Sequence, residues 1–138
     1  MGDLVVADAD AIIAVTMVGD ANHSKAILVE KGLKERGVRL LYPVTAIAEA
    51  VTFMQRALSS GATARAAAES FSNKDVEKAD MDNEILERAV RRYFRFIVSK
   101  KNTIFDCIVA AVADKHDTKE IFSFDGFYKK CGFKLAGV

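Results

Sequence analysis

Cysteine is scarce in this 138-residue chain, with only Cys107 and Cys131. Two are too few for a disulfide framework, their spacing is not that of a zinc site, and Cys107, inside an apolar run, reads as a small core residue. Histidine is equally scarce, and His23 and His116 cannot build a histidine-based metal centre. No apolar run approaches the ~20 residues that span a bilayer. The one apolar stretch at the N-terminus is interrupted by Asp3, Asp8 and Asp10, unlike a secretory signal. The expectation is a cytoplasmic protein with no membrane association. Glycine-rich phosphate loops, Ser/His/Asp constellations, internal repeats and low-complexity linkers are all missing. A net charge of +1 also excludes a uniformly basic nucleic-acid binder.

What is present is apolar material in good supply: 51% of residues are hydrophobic, enough for one compact domain over residues 1–138. Leu4–Ala7 is a short apolar run bounded by acids, the pattern of a fully buried strand. Asp8-Ala9-Asp10 ends it and leads into a short helix, Ala11–Val18. Asn22 precedes a helix from His23 to Arg36 that Gly37 stops. Arg39–Tyr42 is the second strand, closed by Pro43. Thr45 is read as the cap of a helix whose stripe is Ile47, Val51, Met54 and Leu58. Beyond the Ser59-Ser60-Gly61 break come a helix over Ala62–Phe71 and a short strand near Val76–Ala79. Asp82 opens a long helix to Val98, and Thr103 opens another, Ile104 to Lys115. Glu120–Phe124 is a strand, Asp125-Gly126 a turn, Phe127–Cys131 a helical turn and Phe133–Leu135 an edge strand. Strands alternating with helices predict an α/β fold: a three-layer α/β/α sandwich around a central parallel sheet. In such sheets ligands bind beyond the carboxyl ends of the strands, where the strand order reverses.

Charge is unevenly spread. From Ile85 onward Lys and Arg outnumber Asp and Glu, 11 to 6. Arg88, Arg91, Arg92 and Arg95 crowd one helix, with Lys100 and Lys101 just beyond. Such a patch either holds phosphates or is an ordinary solvated helix face.

The acids are more informative. Asp8 follows the first strand, so it stands on the ligand-binding edge, although a turn or cap aspartate would also fit there. Asp10 shares that ambiguity, and two acids so close together repel each other unless a cation intervenes. Glu49 has no capping role, because with Thr45 as cap the capping-box acid belongs at position 48, which is alanine; it is either a site residue or a plain surface glutamate. Asp106 is the only charge in the ten residues from Ile104 to Ala113. It either closes a capping box with Thr103 or serves a site, and both readings put it at the first turn of a buried helix. Asp125 ends a strand and precedes Gly126, with Ser123 two residues earlier. Singly, Asp8 and Asp125 pass as turn residues. Together, four acids from distant parts of the chain are predicted on one edge of one sheet. Carboxylates are the ligands hard divalent cations prefer, and a cation so held can activate water and stabilise charge on a phosphate.

With these residues in view, the whole chain resembles the PIN-domain family, and within it the VapC-type toxins of toxin–antitoxin pairs. The resemblance rests on Val5-Val6-Ala7-Asp8-Ala9-Asp10 with Ile12-Ile13, on Asn22-His23-Ser24-Lys25-Ala26, and on Pro43-Val44-Thr45 through Glu49. It continues in Asp106-Cys107-Ile108-Val109-Ala110-Ala111 with Ala113, and in Ile121-Phe122-Ser123-Phe124-Asp125 with Phe127. It implies an endoribonuclease that uses Mg²⁺ or Mn²⁺, with Asp8, Glu49, Asp106 and Asp125 as an acidic quartet. Asp8 and Asp106 would be direct metal ligands, and Glu49 and Asp125 would position water or a second metal. Ser123 matches the small hydroxyl residue often found two before the last acid, and Asp10 and Thr45 are the other candidates for an outer shell, Asp10 either joining the metal or capping the first helix. The resemblance also implies a homodimer and inhibition by a cognate antitoxin seated in the site. Asp10 departs from the family, which often has Asn or Ser there, and residues 59–80 match only in general character. Three other readings stay open. One is an RNA-processing nuclease without a toxin role, and another a PIN-like scaffold without activity. The third is a haloacid-dehalogenase-like phosphohydrolase using Asp8, whose motif Asp8-Ala9-Asp10 imitates although Ile12 and the missing late acid pair do not.

Overall fold

The computed structural model describes residues 3–136, so the first and last two positions of the expected 1–138 domain lie outside the described residues. Five strands form one parallel sheet in the order β3-β2-β1-β4-β5: β1 Leu4–Ala7, β2 Arg39–Pro43, β3 Lys78–Ala79, β4 Glu120–Phe122 and β5 Lys134–Leu135. Val6 of β1 pairs with Leu41 on one side and Ile121 on the other. Seven α-helices accompany it among the described residues: α1 Ala9–Thr16, α2 His23–Glu35, α3 Val44–Ala57, α4 Ala62–Phe71, α5 Asn83–Arg92, α6 Ile104–Lys115 and α7 Phe127–Lys130.

The sheet is buried on both faces, as a parallel sheet must be. Side chains alternate along a strand, and β1 divides accordingly. Val6 joins the larger apolar cluster with Met54 of α3, Ile85 of α5 and Val109 of α6. Val5 and Ala7 join the smaller one with Ala26, Val29 and Leu33 of α2. The three-layer expectation holds. Its strand order also locates the crevice: β1, β2 and β3 step one way, while β4 and β5 lie on the other side of β1. The reversal falls between β1 and β4, so their carboxyl ends, just before Asp8 and Ser123, are where a ligand would bind.

Several boundaries differ from expectation, each for a local reason. The first helix begins at Ala9, with Asp8 itself as its cap. The helix after β2 begins at Val44 with Pro43 in the cap position, so Thr45 is not a cap: it sits inside the first turn, and its hydroxyl is buried without a partner among the described residues. The helix expected to run from Asp82 to Val98 stops at Arg92 and is followed by a single 3₁₀ turn, Phe94–Phe96. The run Tyr93-Phe94-Arg95-Phe96-Ile97-Val98 is rich in aromatic and β-branched residues, which lose side-chain freedom in a helix, and Tyr93 is pinned beside Phe133 with ring centroids 5.7 Å apart. Finally, β4 stops at Phe122, two residues early. Asp10 captures the backbone N–H of Phe124 at 2.8 Å, which draws the chain out of the ladder.

Candidate active site

Each acid reaches the carboxyl edge by its own route. Asp8 follows β1 and caps α1, its Oδ1 accepting from the Ala9 N–H at 2.6 Å. Asp10 lies in the first turn of α1, where an acid suits the helix dipole. Glu49 stands on the second turn of α3. Asp106 closes a capping box at the start of α6, its Oδ2 accepting from the Thr103 N–H at 3.0 Å. Asp125 follows β4, its Oδ1 accepting from the Phe127 N–H at 2.9 Å. The five carboxylates line one pocket of about 230 Å³, together with Ile13, Phe53, Lys101 and Thr103. A larger groove of about 730 Å³ between α3 and α4 contains only Arg65 and Glu69 as charged lining residues, and nothing there resembles a reactive cluster.

The two readings of Asp106 turn out to be compatible, since its Oδ2 caps the helix while its Oδ1 stands 3.4 Å from the Tyr128 hydroxyl. Ser123 does donate toward the acids: its Oγ donates to Asp10 Oδ2 at 2.9 Å and accepts from the Asp125 N–H at 3.0 Å, linking the two segments. Thr45 is absent from the pocket lining and makes no hydrogen bond to any of the acids. The arginines of α5 are engaged elsewhere. Arg88 and Arg92 both pair with Asp114, and Arg91 with Glu87, so this face reads as a structural ion-pair surface. Lys101 alone among the basic residues of that region lines the acid pocket.

Two polar residues of the site were not anticipated from the sequence. Tyr128 is fully buried and its hydroxyl donates to Asp8 Oδ2 at 2.6 Å. Asn102 Nδ2 donates to Asp125 Oδ2 at 2.7 Å and to Asp106 Oδ2 at 3.2 Å, tying two acids to one amide. A tyrosine beside Phe127 on the buried side of a turn whose other residues are lysines was the available signal for the first, because a buried phenol needs an acceptor. Nothing in the spacing of Asn102 distinguished it from a loop residue.

The electrostatics follow from crowding. Burial, then the neighbouring Asp10 and Asp106, push the Asp8 carboxyl well above its ordinary range, against the hydrogen bonds from Tyr128 and Ala9. Glu49 is pushed up to about 7 by burial and by Asp106 and Asp10. Asp10 and Asp106 are raised by burial, each with a further contribution from Asp125. Oδ1 of Asp10 is buried without a partner among the described residues. Excess negative charge and an orphaned oxygen are what a divalent cation relieves, and oxygen donors are what Mg²⁺ and Mn²⁺ take. The donor set therefore fits such an ion in type and charge. As the side chains stand, however, no three carboxylate, imidazole or thiol groups among the described residues converge into a coordination shell. Asp8, Asp10, Asp106 and Asp125 rest in positions set by their hydrogen bonds to Tyr128, Asn102, Ser123 and the backbone.

Comparison with known proteins agrees with this architecture. The PIN domain family model matches residues 5–134, and the chain belongs to that family. No curated protein matches the sequence significantly. Among solved structures, VapC20 of Mycobacterium tuberculosis, described as a Sarcin-Ricin loop cleaving toxin, is similar with a TM-score of 0.78 and 20% identity, over 94% of this chain and 96% of that one. VapBC2 of Rickettsia felis, bound to a DNA fragment from its promoter, is similar at TM-score 0.69 and 9% identity, over 96% of both chains. VapBC-5 of M. tuberculosis, a toxin–antitoxin system, gives 0.61 and 16% over 98% of both chains. At these identities the structures speak to the fold, and they share the PIN-like sheet. Family membership also removes the haloacid-dehalogenase-like reading of Asp8-Ala9-Asp10. No helix among the described residues is long and apolar enough to cross a membrane.

Proposed function

We propose that this protein is a VapC-type endoribonuclease that depends on Mg²⁺ or Mn²⁺ and hydrolyses RNA phosphodiester bonds. The observation that carries the reading is the gathering of Asp8, Asp10, Glu49, Asp106 and Asp125 in one pocket at the point where the strand order reverses. Asp8 and Asp106 would hold the cation, with Glu49 and Asp125 positioning the attacking water or a second ion. Asp10, with one free buried oxygen, is a further candidate ligand. Such a cation lowers the pKa of a bound water and offsets charge on the phosphate under attack.

The chain's own contribution is placement. Asn102 and Ser123 keep Asp125 and Asp10 turned toward the pocket. Lys101 offers the one positive side chain on the lining, suited to a phosphate oxygen of the substrate. In hydrolysis the water oxygen bonds to phosphorus and the bond from phosphorus to one ribose oxygen breaks. The water's proton passes to the acids, and the leaving oxygen regains one from solvent.

The VapBC systems among similar folds support an antitoxin partner, and the proposal extends to a homodimeric toxin whose antitoxin covers the acid pocket. RNA cleavage by the purified protein should cease in EDTA and return with excess Mn²⁺. Cleavage that persists in EDTA would remove the metal from the mechanism. Induced expression should arrest growth for wild type and not for Asp8→Ala. Equal growth of both would favour an RNA-processing nuclease over a toxin, and a wild type inactive on every RNA would favour the scaffold.

A further inference from the structure

Tyr128 has a feature that packing does not explain. Its ring sits against Phe127, with centroids 5.7 Å apart, in the larger apolar cluster. A phenylalanine would fill that space equally well, and a buried hydroxyl costs stability unless it is hydrogen-bonded. The hydroxyl has one proton and gives it to Asp8 at 2.6 Å, while the Asp106 carboxylate stands 3.4 Å away. Asp8 follows β1 and Asp106 lies in the first turn of α6, so a single oxygen reaches two acids that the chain supplies from separate elements, with its proton directed at Asp8. The hydroxyl comes from α7, which follows Asp125 through Gly126. One short segment thus delivers an acid to the pocket and a donor behind another.

Resting on the metal-dependent reading above, we propose that Tyr128 is a positioning residue: its hydroxyl fixes the Asp8 carboxylate beside Asp106 before a cation arrives, and so sets the affinity of the site for that cation. Asp8 is 4% exposed, so water cannot readily replace the lost donor. Without the hydroxyl, the outer oxygen of Asp8 turns toward whatever donor remains, and binding must first undo that turn. Groups that orient a metal's ligands from behind typically change affinity by about 10–100-fold when removed.

The test is direct Mn²⁺ binding, by calorimetry and by the electron paramagnetic resonance of free Mn²⁺, for wild type and Tyr128→Phe. The proposal expects at least about 10-fold weaker binding in the variant, with kcat approaching wild type at saturating Mn²⁺ because the hydroxyl acts through Asp8 and Asp106. Equal or tighter binding by Tyr128→Phe would overturn it while leaving the nuclease reading intact. A wild type that binds no Mn²⁺ would overturn both. A second measurement does not depend on the variant folding: 3-fluorotyrosine placed at position 128 of the otherwise native chain should shift its ¹⁹F resonance on Mg²⁺ addition. The same label at Tyr42, which packs on Phe71, should not. A silent label at position 128 would contradict the proposal.

Discussion

The chain has two dense clusters of charge, and they are built on opposite plans. On α5 and α6, Arg88 and Arg92 meet Asp114 at 3.1 and 2.5 Å, Arg91 meets Glu87 at 2.8 Å, and Arg88 reaches Glu84 at 3.4 Å. Each of Glu84, Glu87 and Asp114 has a cation. For Asp114 burial alone would raise the carboxyl, but the hydrogen bonds from Arg88 and Arg92 outweigh it and hold the group below its usual value. At the carboxyl edge of the sheet, five acids share a pocket with Lys101 as the only basic lining residue among the described residues. Burial and mutual repulsion raise four of them. A balanced cluster is a structural device, and its net contribution is modest because it is partly solvated. An unbalanced buried cluster costs stability and persists where something else supplies the missing charge.

Substitutions should separate the two clusters. The largest effect is expected in the pocket: Asp106→Asn or Asp8→Asn should lower kcat/KM for RNA by at least about a hundred-fold, the scale of losing one fixed partner of transition-state charge. A steady-state assay with circular dichroism to verify folding measures this. Asp114→Asn should leave kcat/KM unchanged and instead lower the melting temperature, since two guanidinium groups lose their shared partner.

Added Mn²⁺ should come next in size. An ion present at a hundred times its Kd stabilises the folded state by about 2.7 kcal/mol. The melting temperature of wild type should therefore rise with Mn²⁺, and that of Asp8→Asn much less. Neutralising a pocket acid should also stabilise the metal-free protein, whereas neutralising Asp114 should not. The sign of the two stability changes is the sharpest contrast between the clusters.

The smallest effect concerns pH. Glu49 titrates near 7 when folded and near 4.5 when free, so between those values the folded state binds more protons than the unfolded. Stability of metal-free protein should then fall as pH rises from about 4.5 through 7, the reverse of an ordinary paired carboxylate. Urea midpoints at pH 5 and pH 8 would show it, and Glu49→Gln should reduce the difference, leaving the part that comes from the raised Asp8, Asp10 and Asp106. Glu49 is half-buried, so the change is modest.

Much of this was legible in the sequence, for identifiable reasons. The apolar run Leu4–Ala7 and the apolar helix from Ile104 are long-range statements about burial, and they placed β1 in the middle of a parallel sheet and α6 buried against it. Asp106 stood out because nothing else in its helix is charged, and Glu49 because no cap required it. The reading of Thr45 as a cap failed because Pro43 turns the chain directly from strand into helix, a step that depends on the backbone path. Tyr128 and Asn102 were missed for a different reason. Each acts across elements: Tyr128 on Asp8 and Asp106, Asn102 on Asp125 as well as its near neighbour Asp106. Periodicity reports which face is buried, but not which polar atom meets which partner within it. The arginines of α5 show the converse, since their clustering was visible while their neutralisation by Asp114 was not.

The central claim, that the unbalanced acids await a divalent cation, is tested most directly by anomalous diffraction from crystals soaked in Mn²⁺. The strongest anomalous peak should lie within the pocket, with oxygen atoms of Asp8 and Asp106 at ligating distance, and should disappear in Asp106→Asn. A pocket without a peak at saturating Mn²⁺, or a peak that survives Asp106→Asn unchanged, would contradict it.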